Sequence, residues 1–170
     1  SWQARLGESQ KSCRVGLAWS GNPKHANDAQ RSIALALLWQ EALEPFADQV
    51  EFFCLQKEMS SVDRTTLSQL PILDYSTEFH DFETTAALCE CLDLVVAVDT
   101  SVAHLCGALG KPTLLLLPFV PDWRWLMGRA DSSWYPSLTL LRQARRGDWD
   151  SVFASVREAL SARCPGPATP

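Results

Sequence analysis

The stretch at 93–112, DLVVAVDTSVAHLCGALGKP, decides the fold. Residues 94–98 form a continuous aliphatic and β-branched run, the pattern of a parallel strand covered on both faces. The polar turn Asp99-Thr100-Ser101 follows, then a short helical pattern ending in Gly110-Lys111-Pro112. Thr100 and Ser101 therefore sit where the first amides of a helix point outward. Those amides and the helix dipole both favour an anion. The plainer alternative is that Thr100 or Ser101 only caps the helix.

Outward from this unit, strands alternate with helices. Strand patterns fall at 14–19 (RVGLAW), 50–55 (VEFFCL), 72–73, 113–117 (TLLLL) and 138–141. Leu35, Leu38, Trp39, Ala42, Leu43 and Phe46 recur at helical spacing, with Ser32 as the expected cap and Pro45 ending or bending the last turn. Further helices are expected over 62–70, over 82–92 with Asp81 as cap, and over 148–162. The fold class is thus α/β, an open doubly wound, mostly parallel, Rossmann-like sheet. Residues 1–12 read as a linker or loosely docked segment, 13–163 as one domain, and 164–170 as a disordered tail.

A chain of 170 residues, 46% apolar and 21% charged, is an ordinary globular domain. Its net charge of -5 and lack of a basic run argue against nucleic acid as partner. No apolar stretch is long enough for a transmembrane helix. The six cysteines form no C-x-x-C pair and read as reduced thiols of a cytoplasmic protein. The chain does not begin with Met, so it reads as a piece of a longer protein.

In such a sheet, ligands bind beyond the carboxyl ends of the strands. The loops at that edge carry Lys24, His25, Asn27, Arg31, Lys57, His80, His104, Arg124 and Arg129. Cations gathered at one edge of an acidic protein suggest an anionic ligand; the alternative is that loops are polar anyway. No G-x-G-x-x-G, G-x-x-x-x-G-K-[ST] or G-x-S-x-G is present, which disfavours dinucleotide, P-loop and α/β-hydrolase chemistry. His104, three residues beyond Ser101, either reaches a ligand oxygen or packs structurally. Asp99 fixes the turn or pairs with Arg31 or Lys57. Trp123 and Trp125, in the tryptophan-rich segment 118–136, either stack a flat ligand or anchor that segment.

DTSVAHLCGALGKP at 99–112 resembles the D-T-[GS]-x-x-H-[LI]-x-[GA]-A-L-[GN]-x-P signature of heptosyltransferase-like GT-B glycosyltransferases. VGLAWSGNPKHAND at 15–28, FFCLQKE at 52–58 and PFVPDWRW at 118–125 extend the resemblance, toward the C-terminal domain of bacterial tetratricopeptide-repeat proteins. It implies the half of a GT-B enzyme that holds a nucleotide-sugar donor. Asp99, Thr100, Ser101 and His104 would hold the diphosphate, with Ser101 standing where glycine is more usual. Lys24 or Arg31 would contact phosphate, and Glu58, beside Gln56 and Lys57, the ribose. Ser20 and Asn22 complete the donor set. Arg31 and His104 would stabilise charge on the leaving diphosphate. The donor is a substrate; no cofactor or metal is implied. The family's catalytic carboxylate lies in the other domain, so catalysis by this chain alone is not expected. The alternative is a non-catalytic nucleotide- or protein-binding module of a tetratricopeptide-repeat protein.

Overall fold

The computed structural model describes residues 2–22 and 28–165. The chain begins with α1 (Trp2–Leu6), β1 (Cys13–Ala18), α2 (Asp28–Arg31) and α3 (Leu35–Leu38). Then come β2 (Val50–Cys54), α4 (Ser61–Leu67), β3 (Ile72–Asp74), α5 (Phe82–Glu90) and β4 (Leu94–Val98). The last elements are α6 (Ser101–Ala108), β5 (Thr113–Leu117), β6 (Leu138–Arg142) and α7 (Trp149–Arg163). All six strands pair in parallel in the order β3-β2-β1-β4-β5-β6. The sheet is Rossmann-like, and its strand order reverses between β1 and β4.

Every residue of β4 and β5 is buried, as their apolar runs require. The pleat sorts them by face. Leu94, Val96 and Val98 join a core with α3, α4 and α7, whereas Val95 and Ala97 face a second core with α5 and α6. Helices therefore cover both sides of the sheet. Segment 118–136 returns to the free edge of β6, where Leu140 N donates to Ala130 O at 2.7 Å and Asp131 bridges Thr139. That covers an edge otherwise open to pairing with another chain.

The helix expected over 35–46 is not regular. After one α-helical turn, Trp39–Leu43 widens to a π-helix and Glu44–Phe46 tightens to a 3-10 turn. Pro45 is the cause: it has no N–H for the Glu41 carbonyl, and its ring crowds that carbonyl. Arg157 on α7 donates Nη1 to Glu41 O instead. The expected Ser32 cap is also corrected. Ala34 holds the N-cap position without a side-chain bond, and the Leu35 amide donates to Asp63 Oδ1 of α4 at 3.0 Å. Asp81 does cap α5, accepting from Thr84 N at 2.8 Å.

The expectations for the cysteines and the tail also change. Cys13 and Cys164 form a disulfide, so the cysteines are not all reduced. Cys164, read as the start of an unpacked tail, is buried against the core. Cys54, Cys89, Cys91 and Cys106 remain free. Burial pushes the Cys54 thiol up to about 12. Cys89 and Cys106 meet at 3.7 Å between α5 and α6; that contact and burial push the Cys89 thiol up as well. The N-terminal segment, meanwhile, touches the domain through side chains of α1, none of whose residues is buried. Trp2 packs edge-on against Tyr75, and Arg5 pairs with Glu78 while lying over both aromatic rings.

Candidate functional site

The carboxyl edge of the sheet opens into a cleft of about 810 Å³ above the β1/β4 switch point. Ser20, Asn22, Arg31, Gln56, Lys57, Glu58, Asp99, Thr100, Ser101 and His104 all line it. They arrive from three separate loops, brought together because β1, β2 and β4 are neighbours in the sheet. Lys24, with His25 and Asn27, lies outside the described residues.

The first turn of α6 forms one side. Thr100 takes the N-cap position with extended backbone, but its hydroxyl donates back to Val98 O at 3.2 Å and caps nothing. The first intrahelical bonds come from Ala103 N and His104 N to Thr100 O. The amides of Ser101 and Val102 precede them, on two residues that line the cleft. An uncapped helix start beside a cleft is a site for an anion.

Arg31 is more constrained than its sequence position suggests. Its Nη1 donates to the Asp99 carbonyl at 2.8 Å, and its Nε lies 3.4 Å from Asp28 Oδ1. Asp28 also accepts from the Ser32 hydroxyl, which in turn accepts from Gly21 N. A Cβ on Gly21 would come within 2.4 Å of Asp28 Oδ1 and 2.6 Å of Arg31 Nη2, so the pair is seated directly on that glycine. Asp99 thus engages Arg31 through its backbone, not its carboxylate. The i,i+3 spacing of Asp28 and Arg31 was the sequence signal for this pair.

Gln56 is a brace. Its amide accepts from Ser20 N (3.2 Å) and donates to Ser20 O (2.9 Å) and Glu58 O (2.8 Å), using both of its N–H groups. It ties the ends of β1 and β2 at the cleft floor. Lys57 beside it is exposed and takes part in none of the cleft's ion pairs among the described residues.

His104 joins α6 to the aromatic segment. Nδ1 shares a 3.2 Å hydrogen bond with Tyr135 OH, and the ring stacks on Trp125 at 5.2 Å and 28°. Nε2 lies 3.8 Å from Asp99 Oδ1, near enough for attraction when the ring is protonated. Tyr135 packs on Gly107, where a Cβ would meet its ring at 2.4 Å. With 36% of its side chain exposed at the cleft, His104 is both held and accessible.

Of the two alternatives for the tryptophans, Trp125 takes the anchoring one, packed in the core beneath α6. Trp125 is 1% exposed and its ring is committed to His104. Trp123 is exposed but does not line the cleft; it packs edge-on against Trp134 and lies under the Arg124 guanidinium. Arg129 is likewise away from the cleft, bound to Asp131 and Ser133. His80 and Arg124, expected at this edge, do line the cleft, and Phe82 and Asp122 join them. Its cations do not come alone: Glu58, Asp81, Asp99 and Asp122 line the same cavity.

FlbA of Caulobacter vibrioides is similar to this chain, 27% identical over 168 residues, covering 94% of the chain and 27% of FlbA. The chain thus spans about a quarter of that relative's length. No protein-family model matches it. Among the described residues, no helix is long and apolar enough to cross a membrane.

Proposed function

We propose that this chain is the donor-binding domain of an inverting, metal-independent glycosyltransferase, holding a nucleotide-diphospho-sugar in the cleft. The observation that carries the reading is the meeting of Arg31, Lys57 and the uncapped start of α6 in one cavity at the switch point. The diphosphate lies on the Ser101 and Val102 amides, with Lys57 as the exposed cation. Arg31 acts chiefly by fixing the loops on either side, and His104 offers a partly exposed ring to the same anion. The 99–112 signature favours the same reading.

Catalysis requires a second domain: three of the four carboxylates lining the cleft are engaged, and the resemblance assigns the fourth, Glu58, to the ribose rather than to a base. Asp99 lies near His104, Asp122 holds Arg124, and Asp81 caps α5. We place the domain within a longer tetratricopeptide-repeat protein as part of the same proposal. A second reading, a non-catalytic module that docks a protein, draws on the exposure of Trp123, Leu126, Met127 and Trp134.

Thermal unfolding with ADP, UDP, GDP and their sugar conjugates separates the readings. A ligand present at a hundredfold over its Kd adds roughly 2.7 kcal/mol. A raised midpoint with one of them is the expected result; unchanged midpoints with all would leave the docking reading in possession.

A further inference from the structure

Beyond β5 the cleft wall is built from Pro118, Val120, Asp122 and Arg124. This wall is held at fixed points. Asp122 Oδ1 accepts from Arg124 N at 3.0 Å, capping the 3-10 turn Trp123–Trp125, and from Arg124 Nη1 at 2.8 Å. Arg142, at the end of β6, donates Nη2 to the carbonyls of Trp125 (3.2 Å) and Leu126 (2.8 Å). Leu126 itself has φ of 50°, a left-handed conformation that only such anchoring keeps in a non-glycine residue. Trp123 lies against the guanidinium, 5.1 Å from its ring centre.

The charge of this wall selects its ligand. A guanidinium held at 2.8 Å by a carboxylate presents little net field, so it is a poor second phosphate site. The pair keeps its hydrogen-bonding capacity, however. Nη2 and Nε remain as donors, Asp122 Oδ2 as acceptor, and both side chains are about a third to a half exposed, at 34% and 46%. Two planar groups offering donors and acceptors side by side match adjacent hydroxyls on a ring. Val120 and Pro118 supply an apolar surface for the C–H face of the same ring.

We propose that Asp122 and Arg124 form a subsite for the hydroxyls of a sugar ring at the β5 end of the cleft. The subsite deepens the donor-binding reading, and on that reading it holds the glycosyl group while α6 holds the diphosphate. Its neutrality distinguishes it from the α6 end, which suits an anion.

Isothermal titration tests this with three probe sets: ADP, UDP and GDP; their hexose conjugates; and hexose 1-phosphates. Asp122→Asn keeps an acceptor for the turn, and Arg124→Met keeps the stem over Trp123; unchanged melting midpoints verify their folds. Both variants should lower affinity for the sugar-bearing probes about tenfold, the loss of one charged hydrogen bond, and leave bare nucleoside diphosphates unchanged. If hexose 1-phosphates show this loss while no nucleotide binds, the subsite stands and the nucleotide reading falls. Equal loss for bare and sugar-bearing probes, or no loss, overturns the subsite. So does the failure of every sugar-bearing probe to bind, and if bare nucleotides still bind, the nucleotide reading survives without it.

Discussion

Arg31 Nη1 donates to the backbone carbonyl of Asp99 at 2.8 Å and so joins the loop after β1 to the turn after β4 across the switch point. The bond uses a main-chain acceptor, so the geometry of the α6 start depends on a cation from another loop. Arg31 is in this sense a positioning residue. Gly21→Ala, which displaces Asp28 and Arg31 from their seat without altering any charge, should then weaken nucleotide binding as Arg31→Ala does. Each should also cost about 1–3 kcal/mol of stability, as expected when a largely buried polar group loses its partner. Full retention of affinity in Gly21→Ala, with loss only in Arg31→Ala, would make Arg31 a direct ligand contact instead.

Asp63 completes the start of α3 from a distance of 28 residues in sequence. Its Oδ1 takes the Leu35 amide at 3.0 Å in a buried setting. Asp63→Ala leaves that amide unsatisfied and should destabilise the chain by about 1–3 kcal/mol, read as a lower urea midpoint with unchanged slope. A change within a few tenths of a kcal/mol would mean that another acceptor or water serves Leu35 equally well.

The Cys13–Cys164 disulfide joins the first residue of β1 to the residue after α7, 151 positions away. Reduction releases a long loop in the unfolded chain and should cost about 2–5 kcal/mol. At roughly 2–4 °C per kcal/mol for a domain of this size, the melting midpoint should drop visibly in dithiothreitol. A Cys13→Ser, Cys164→Ser double variant should melt like the reduced chain and no longer respond to reductant. Equal midpoints with and without reductant in the unaltered chain would contradict the prediction.

Asp81 gives a pH dependence with a definite sign. Bonds from the Thr84 amide and hydroxyl, each 2.8 Å, hold its carboxyl below the ordinary 3.8. A depressed folded-state pKa means that the stabilisation is fully present above the unfolded value and is lost as pH falls through the folded one. Carbon-detected NMR titration should therefore place the Asp81 midpoint below 3.8, with Thr84 amide protection lost over the same range. A midpoint at or above the ordinary value would contradict the cap.

The architecture was legible because parallel strands buried on both faces must be nearly pure aliphatic runs, as 94–98 and 113–117 are. The edge rule gathers the loops after β1, β2 and β4, with Arg31, Lys57 and Ser101, at one cavity. What local sequence did not reveal was the partner of each polar group. Gln56 reads as a ligand contact but is consumed by Ser20 and Glu58; Trp125 reads as either a platform or an anchor, and only its seat beneath His104 decides for the anchor. Ser32 resembles a cap because local pattern cannot see Asp63 arriving from α4. The disulfide was hidden for the same reason, since its halves stand at opposite ends of the chain.

The account's central claim is that the uncapped start of α6 receives a diphosphate. Amide NMR of the isotope-labelled chain, titrated with UDP, GDP and ADP, tests it most directly. The account predicts saturable shifts with at least one of them, largest at the Ser101 and Val102 amides and abolished by Ser101→Pro, which removes one of the two donors. Binding that leaves these two amides unmoved, or no shift with any nucleoside diphosphate, would contradict it.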